Sequence, residues 1–149
     1  MKLEEEIKQQ NFKSPLYKAM LNIRLTESWL SNQINQTLKP FGLSQEQYNV
    51  LRILKGQYPN PSPLQLISER MVNRMSNATR LVEKLRQGEL VPRQDCPTNR
   101  RKVDILITQK GMNLLDQIRP QLDGAMAQMK NLSVKEAEQL NELLDKFRG

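Results

Sequence analysis

The chain has 149 residues, enough for one folding unit around a single core, and its 38% hydrophobic and 26% charged residues exclude wholesale disorder. With 23 Lys and Arg against 16 Asp and Glu, the net charge is +7, a balance that favours polyanionic partners. Histidine is absent and Cys96 is the only cysteine, which excludes histidine-dependent catalytic triads, typical zinc sites and an internal disulfide. A lone thiol fits a reducing compartment. The opening MKLEEEIKQQNFKSP is too polar for a secretory signal, and no run reaches the roughly 18 to 20 apolar residues of a membrane span, so a cytoplasmic protein without membrane contact is expected.

From Pro15 to Leu38, apolar residues at 16, 20, 23, 30, 34 and 38 keep to one stripe of a long amphipathic helix. Phe41, Gly42 and Leu43 break it. Ser44 with Gln47 then forms a capping box for a second helix, whose apolar face is Tyr48, Val50, Leu51, Ile53 and Leu54. The prolines of YPNPSP, residues 58–63, forbid helix and predict a linker or a very short edge strand. A short helix follows from Leu64 to Arg70, and after a tight turn another runs from about Arg74 to Gln87, with Ala78, Leu81, Val82 and Leu85 inward and Gly88 as its stop. Leu90 to Gln94 and Val103 to Thr108 read as two short strands, Val103, Ile105 and Ile107 facing one side, around the turn DCPTNRRK. Beyond Gly111, Met112, Leu115, Ile118, Leu122, Met126 and Met129 define another helical stripe, with Pro120 expected to bend it. Ser133 and Glu136 open a last helix striped by Ala137, Leu140, Leu143, Leu144 and Phe147.

A helix-turn-helix followed at once by a two-stranded hairpin is the winged-helix arrangement. The expected fold is therefore mainly α with a small β-hairpin wing, in the α+β class. Residues 64–111 hold ten Lys and Arg against five Asp and Glu, so most of the excess positive charge sits in about a third of the chain. Phosphate neutralisation supplies most non-specific affinity for DNA. The second helix of the pair would present Arg74, Ser76, Asn77, Thr79, Arg80 and Lys84, and arginine and asparagine suit guanine and adenine edges. At the wing, Arg100 and Arg101 suit the negative potential of a narrow minor groove, Lys102 suits a phosphate, and Asn99 sits beside them.

The run ERMVNRMSNATRLVEKLRQGELVPRQDCPTNRRKVDILITQKG, Glu69 to Gly111, resembles the MarR family of winged-helix transcriptional regulators. That family's TRLVDRL-like segment corresponds to Thr79–Leu85, and its Gly-Leu-Val step to Gly88, Leu90 and Val91 around an extra Glu89. Its wing-tip Asp-x-Arg corresponds to Asn99-Arg100-Arg101, and its closing Leu-Thr-x-x-Gly to Ile107–Gly111. Asn99 departs from the acidic residue the family pairs with the arginine two positions on. Peroxide-sensing relatives carry a cysteine near the first helix, whereas Cys96 falls in the wing.

The resemblance implies an obligate homodimer on a pseudo-palindromic double-stranded DNA operator, most often as a repressor. Residues 1–43 and 112–149 would dimerise and residues 44–111 would bind DNA. Mutual burial of amphipathic helices at both chain ends is physically reasonable, because one small winged-helix core cannot cover them. The resemblance further implies release by a small aromatic or anionic effector in a cleft, for which Tyr17, Arg24, Trp29 and Tyr48 are suitable residue types. No cofactor, metal or catalytic residue is expected, since no nucleophile has a plausible base. A winged helix used only as a protein-interaction module is the alternative.

Overall fold

The computed structural model describes residues 2–92, 104–127 and 131–149. A four-residue helix, α1 (Leu3–Glu6), precedes the long α2 (Pro15–Leu38), which passes through a single 3-10 turn, Lys39–Phe41, into α3 (Gln45–Gln57). The two-residue β1 (Ser62–Pro63) leads into α4 (Leu64–Arg70) and α5 (Ala78–Gln87). Then come β2 (Asp104–Ile105), α6 (Gln109–Ala127) and α7 (Val134–Arg148). The two strands pair antiparallel, Ser62 opposite Ile105 and Pro63 opposite Asp104.

Local chemistry sets most of these boundaries. The Ser14 hydroxyl accepts the Tyr17 amide at 3.1 Å and Pro15 occupies the first helical position, so α2 starts where its donors are satisfied. Full capping boxes open α3, through Ser44 and Gln47, and α7, through Ser133 and Glu136. Hydrogen bonds from Ser133 hold the Glu136 carboxyl below its usual range, so the charged cap works above that range and is lost as pH falls through the lowered value. Gly42 adopts φ +67° after the 3-10 turn, a left-handed conformation that glycine takes without strain. The short α1, which sequence periodicity does not indicate, is held by burial of Leu3 and by the Lys18–Glu4 ion pair to α2.

The core gathers Leu38 from α2, Val50, Leu51 and Leu54 from α3, Ile67 and Met71 around α4, and Val82 and Leu85 from α5. Ile105 and Ile107 reach it from β2 and its following loop, and Leu115 and Ile118 from α6. Each large apolar side chain removed from water contributes about 1.5–3 kcal/mol. Asp104 is exposed and Ile105 and Ile107 are buried, as the expected alternation requires. Leu90 and Val91 form a bend and Pro92 has no regular structure, and the remainder of that expected strand, with Val103, lies outside the described residues. Among the described residues, β2 takes Ser62–Pro63 as its partner.

Two further boundaries, the starts of α5 and α6, differ from expectation. α5 begins at Ala78, not near Arg74, because Asn77 caps it by accepting the Arg80 amide at 3.0 Å. Residues 72–76 are a turn closed by Asn73, whose carbonyl accepts the Ser76 amide and whose Oδ1 accepts the Met75 amide, each at 3.1 Å. α6 begins at Gln109, two residues ahead of Gly111, and continues through Pro120.

At the end of α5, Gly88 keeps right-handed helical angles, and the left-handed residue is Glu89, at φ +60°. The Leu90 amide reaches the Leu85 carbonyl and the Glu89 amide reaches that of Arg86, both at 2.9 Å, which is the Schellman arrangement. A side chain in this conformation costs about 1–2 kcal/mol. Glu89→Gly should therefore raise stability in urea denaturation by about 1 kcal/mol, reduced by loss of the exposed Glu89–Lys110 pair, itself worth about 0–1 kcal/mol. A destabilised variant would mean that the pair outweighs the backbone strain.

The terminal helices leave much apolar surface uncovered within one chain. On α2, Leu16 is 66% and Trp29 48% exposed; α7 buries no residue, and its Leu143 and Phe147 are 57% and 48% exposed.

Candidate nucleic-acid interface

The outer side of α5 follows from its own periodicity. Burial of Ala78, Val82 and Leu85 turns Thr79, Arg80, Glu83, Lys84 and Gln87 outward, where with Asn77 they line one open depression. Thr79, Arg80 and Lys84 are exposed, as expected from the sequence. Glu83 pairs with Arg86 at 3.5 Å, which offsets the negative charge it would otherwise bring to the face. Glu83 and Gln87 escaped the sequence reading although their helical spacing from Arg80 and Lys84 places them on this side.

The other three expected contact residues precede the helix. Asn77 engages its Oδ1 as the cap, leaving the side-chain NH2 to donate. The Arg74 guanidinium bonds back to the Glu69 carbonyl and fastens the turn to the end of α4. Ser76 is half-buried in that turn. The wing residues Asn99, Arg100, Arg101 and Lys102, and Cys96, lie outside the described residues. The segments flanking them are tied together, since the Thr108 amide donates to the Leu90 carbonyl at 3.1 Å and its hydroxyl to the Glu89 carbonyl at 2.8 Å.

A cleft of about 740 Å³ opens between α2, α3, α6 and the turn after α4. Its apolar wall includes Ile34, Tyr48, Met71 and Leu122, and its cations are Arg52 and Arg119. Of the four residues suggested for an effector cleft, Tyr48 lines it; Tyr17, Arg24 and Trp29 lie elsewhere on α2. Arg52 follows Tyr48 by one helical turn, a spacing that could have indicated it. Asn49, also in the wall, accepts the Val72 amide through Oδ1 at 2.9 Å and so joins the cleft to the helix-turn-helix.

The α4–turn–α5 pair, its cationic outer face and the β2 root of a wing define a winged helix-turn-helix of the DNA-binding kind. Residues 43–103 match the family model described as MarR family. The chain is 32% identical over 116 residues to the HTH-type transcriptional regulator MhqR of Bacillus subtilis, an alignment covering 77% of this chain and 79% of that one. It therefore belongs to the MarR family and is a DNA-binding transcriptional regulator. Among solved structures, BpsR of Bordetella bronchiseptica, whose DNA binding is regulated by 6-hydroxynicotinic acid, superposes with a TM-score of 0.73 at 20% identity, covering 89% of this chain and 99% of that one. CouR of Rhodococcus jostii, bound to p-coumaroyl-CoA, gives 0.72 at 20% identity over 91% and 95%. At these identities the likeness is one of fold. Among the described residues, no helix is long and apolar enough to cross a membrane.

Proposed function

We propose that the chain works as a homodimer that represses transcription from a pseudo-palindromic operator and releases it when a small aromatic or anionic effector fills the cleft. The observation that carries this reading is the uncovered apolar surface of α2 and α7 on a chain whose α5 presents a separate cationic face. Burying that surface against a second copy would set two α5 helices on one duplex, with half-sites about one helical turn apart. In this reading residues 1–43 and 112–149 make the dimer and residues 44–111 the DNA-binding unit. Catalysis has no part in it, and the protein acts in the cytoplasm.

The effector class is supported by the mixed character of the cleft. Tyr48 and Leu122 offer apolar contact and Arg52 offers a cation for an acid group, set against Glu27, Glu46 and Asp123 in the same wall, the last paired with Arg119 at 3.7 Å. The molecules named for BpsR and CouR combine an aromatic ring with acid groups, which fits the same chemistry.

A mobility-shift series over salt concentration tests the reading, using the DNA upstream of the protein's own gene against random DNA. Affinity should fall with salt by a slope of about 0.9 per phosphate contacted, and the upstream region should bind more tightly. Arg80→Ala and Arg101→Ala should each weaken binding without changing the mass of the dimer in sedimentation. Equal affinity for both DNAs would sink the reading and leave a protein-interaction module.

A further inference from the structure

We infer that Met75 is a specificity-determining residue that reads the methyl group of thymine in the major groove; the inference rests on the operator-binding reading above. Met75 lies two residues before the Asn77 cap of α5 and is 92% exposed. The neighbouring turn residues have partners within the protein. Asn73 closes the turn, Arg74 bonds to the Glu69 carbonyl, and Val72, although 89% exposed, lines the effector cleft. Among the described residues, Met75 contributes only its amide, to Asn73 Oδ1, and it is absent from the cleft wall. Its side chain thus projects an apolar group from the turn that leads into the recognition helix.

The surroundings favour DNA as the occupant. In helix-turn-helix proteins the N-terminal end of the second helix approaches base edges. Arg70 ends the helix before this turn, Arg74 belongs to it, and Arg80 and Lys84 lie on the exposed side of α5, so the turn sits among cations suited to phosphates. The one apolar group that B-DNA displays in the major groove is the thymine methyl. An unbranched thioether with three rotatable bonds can follow that methyl without demanding one backbone geometry.

The test uses duplexes enriched from a random library by the full-length wild-type protein, with each thymine replaced in turn by deoxyuridine, which lacks only the methyl. Wild type should lose about fourfold in affinity at one thymine per half-site, the value of burying one methyl-sized group. Met75→Ala, which removes the contact from both half-sites of the dimer, should bind the thymine duplex about sixteenfold more weakly, ignore the replacement, and keep wild-type affinity for random DNA. Met75→Leu should still discriminate. Equal sensitivity of wild type and Met75→Ala to deoxyuridine overturns the inference while leaving the operator-binding reading intact. A Met75→Ala chain that becomes monomeric in sedimentation also overturns it, by making Met75 a subunit contact. A wild-type protein that enriches no sequence overturns both.

Discussion

Gly111→Ala is expected to destabilise the fold by about 1–3 kcal/mol, the usual cost of overpacking a closed site. A Cβ at this position would stand 2.8 Å from Ile107 Cγ1 and 2.8 Å from the Leu90 carbonyl oxygen. Neither neighbour moves freely. Ile107 is buried in the core, and the Leu90 carbonyl accepts the Thr108 amide, the bond that ties the two flanks of the wing. The sign makes the experiment informative, because glycine to alanine within an ordinary helix stabilises by about 1 kcal/mol. Urea unfolding of the two proteins measures the difference, and a stabilised variant would show that the junction of α6 with Leu90 yields easily. Thr108 shares this junction, its hydroxyl also accepting the Gly111 amide at 3.1 Å, so loosening here should weaken DNA binding along with stability.

The second large effect is on assembly. Leu143→Glu combined with Phe147→Glu should convert the proposed dimer to a monomer and abolish tight operator binding, while far-ultraviolet circular dichroism keeps its helical signal. Both side chains are about half exposed in the single chain, so the substitutions remove little from its own core. In a two-fold dimer they alter two positions on each subunit. With about half of each side chain left to bury, at about 0.8–1.5 kcal/mol for each of the four groups, the dissociation constant should rise by about two to four orders of magnitude. Sedimentation velocity reads the mass directly. A variant that stays dimeric would remove α7 from the interface and assign the exposed apolar groups of α2 a different partner.

Which parts of this structure could be read from sequence follows from how local their causes are. The starts of α2 and α3 were legible because Pro15, Ser44 and Gln47 act within four residues, and their ends because Gly42 and the prolines of residues 58–63 break a helix. The start of α5 was not, since Asn73, Ser76 and Asn77 are all plausible caps in one short run. The choice among them depends partly on Asn49, 23 residues away, which holds the Val72 amide. The same limit applies at the other end of that helix: a glycine was present to take the left-handed position, yet Glu89 takes it, with its carbonyl fixed by Thr108 from across the fold. A very short edge strand at Ser62–Pro63 was an available reading, but its partner at Asp104–Ile105 was not, because two residues carry no register information.

The candidate interface was legible in its side-chain types and on α5 in its spacing, where Thr79, Arg80 and Lys84 needed only a helix to become neighbours. The cleft was less so. Tyr48 was found because it is aromatic, but the choice of Tyr17, Arg24 and Trp29 required knowing how α2 rotates against α3 and α6. Arg119, Leu122 and Asp123 meet Tyr48 across the fold, and no periodicity within either helix predicts that meeting.

The bond from the Val72 amide to Asn49 Oδ1 has a thermodynamic consequence for ligand and DNA together. An occupant of the cleft that takes this oxygen for itself leaves a backbone donor of the helix-turn-helix without its partner, and the free energy of that exchange enters both binding equilibria. Coupling of this kind is reciprocal: whatever factor the occupant removes from operator affinity, the operator must remove from the occupant's own. The concentration at which an effector acts on this regulator would then be set in part by how much operator DNA is present to oppose it.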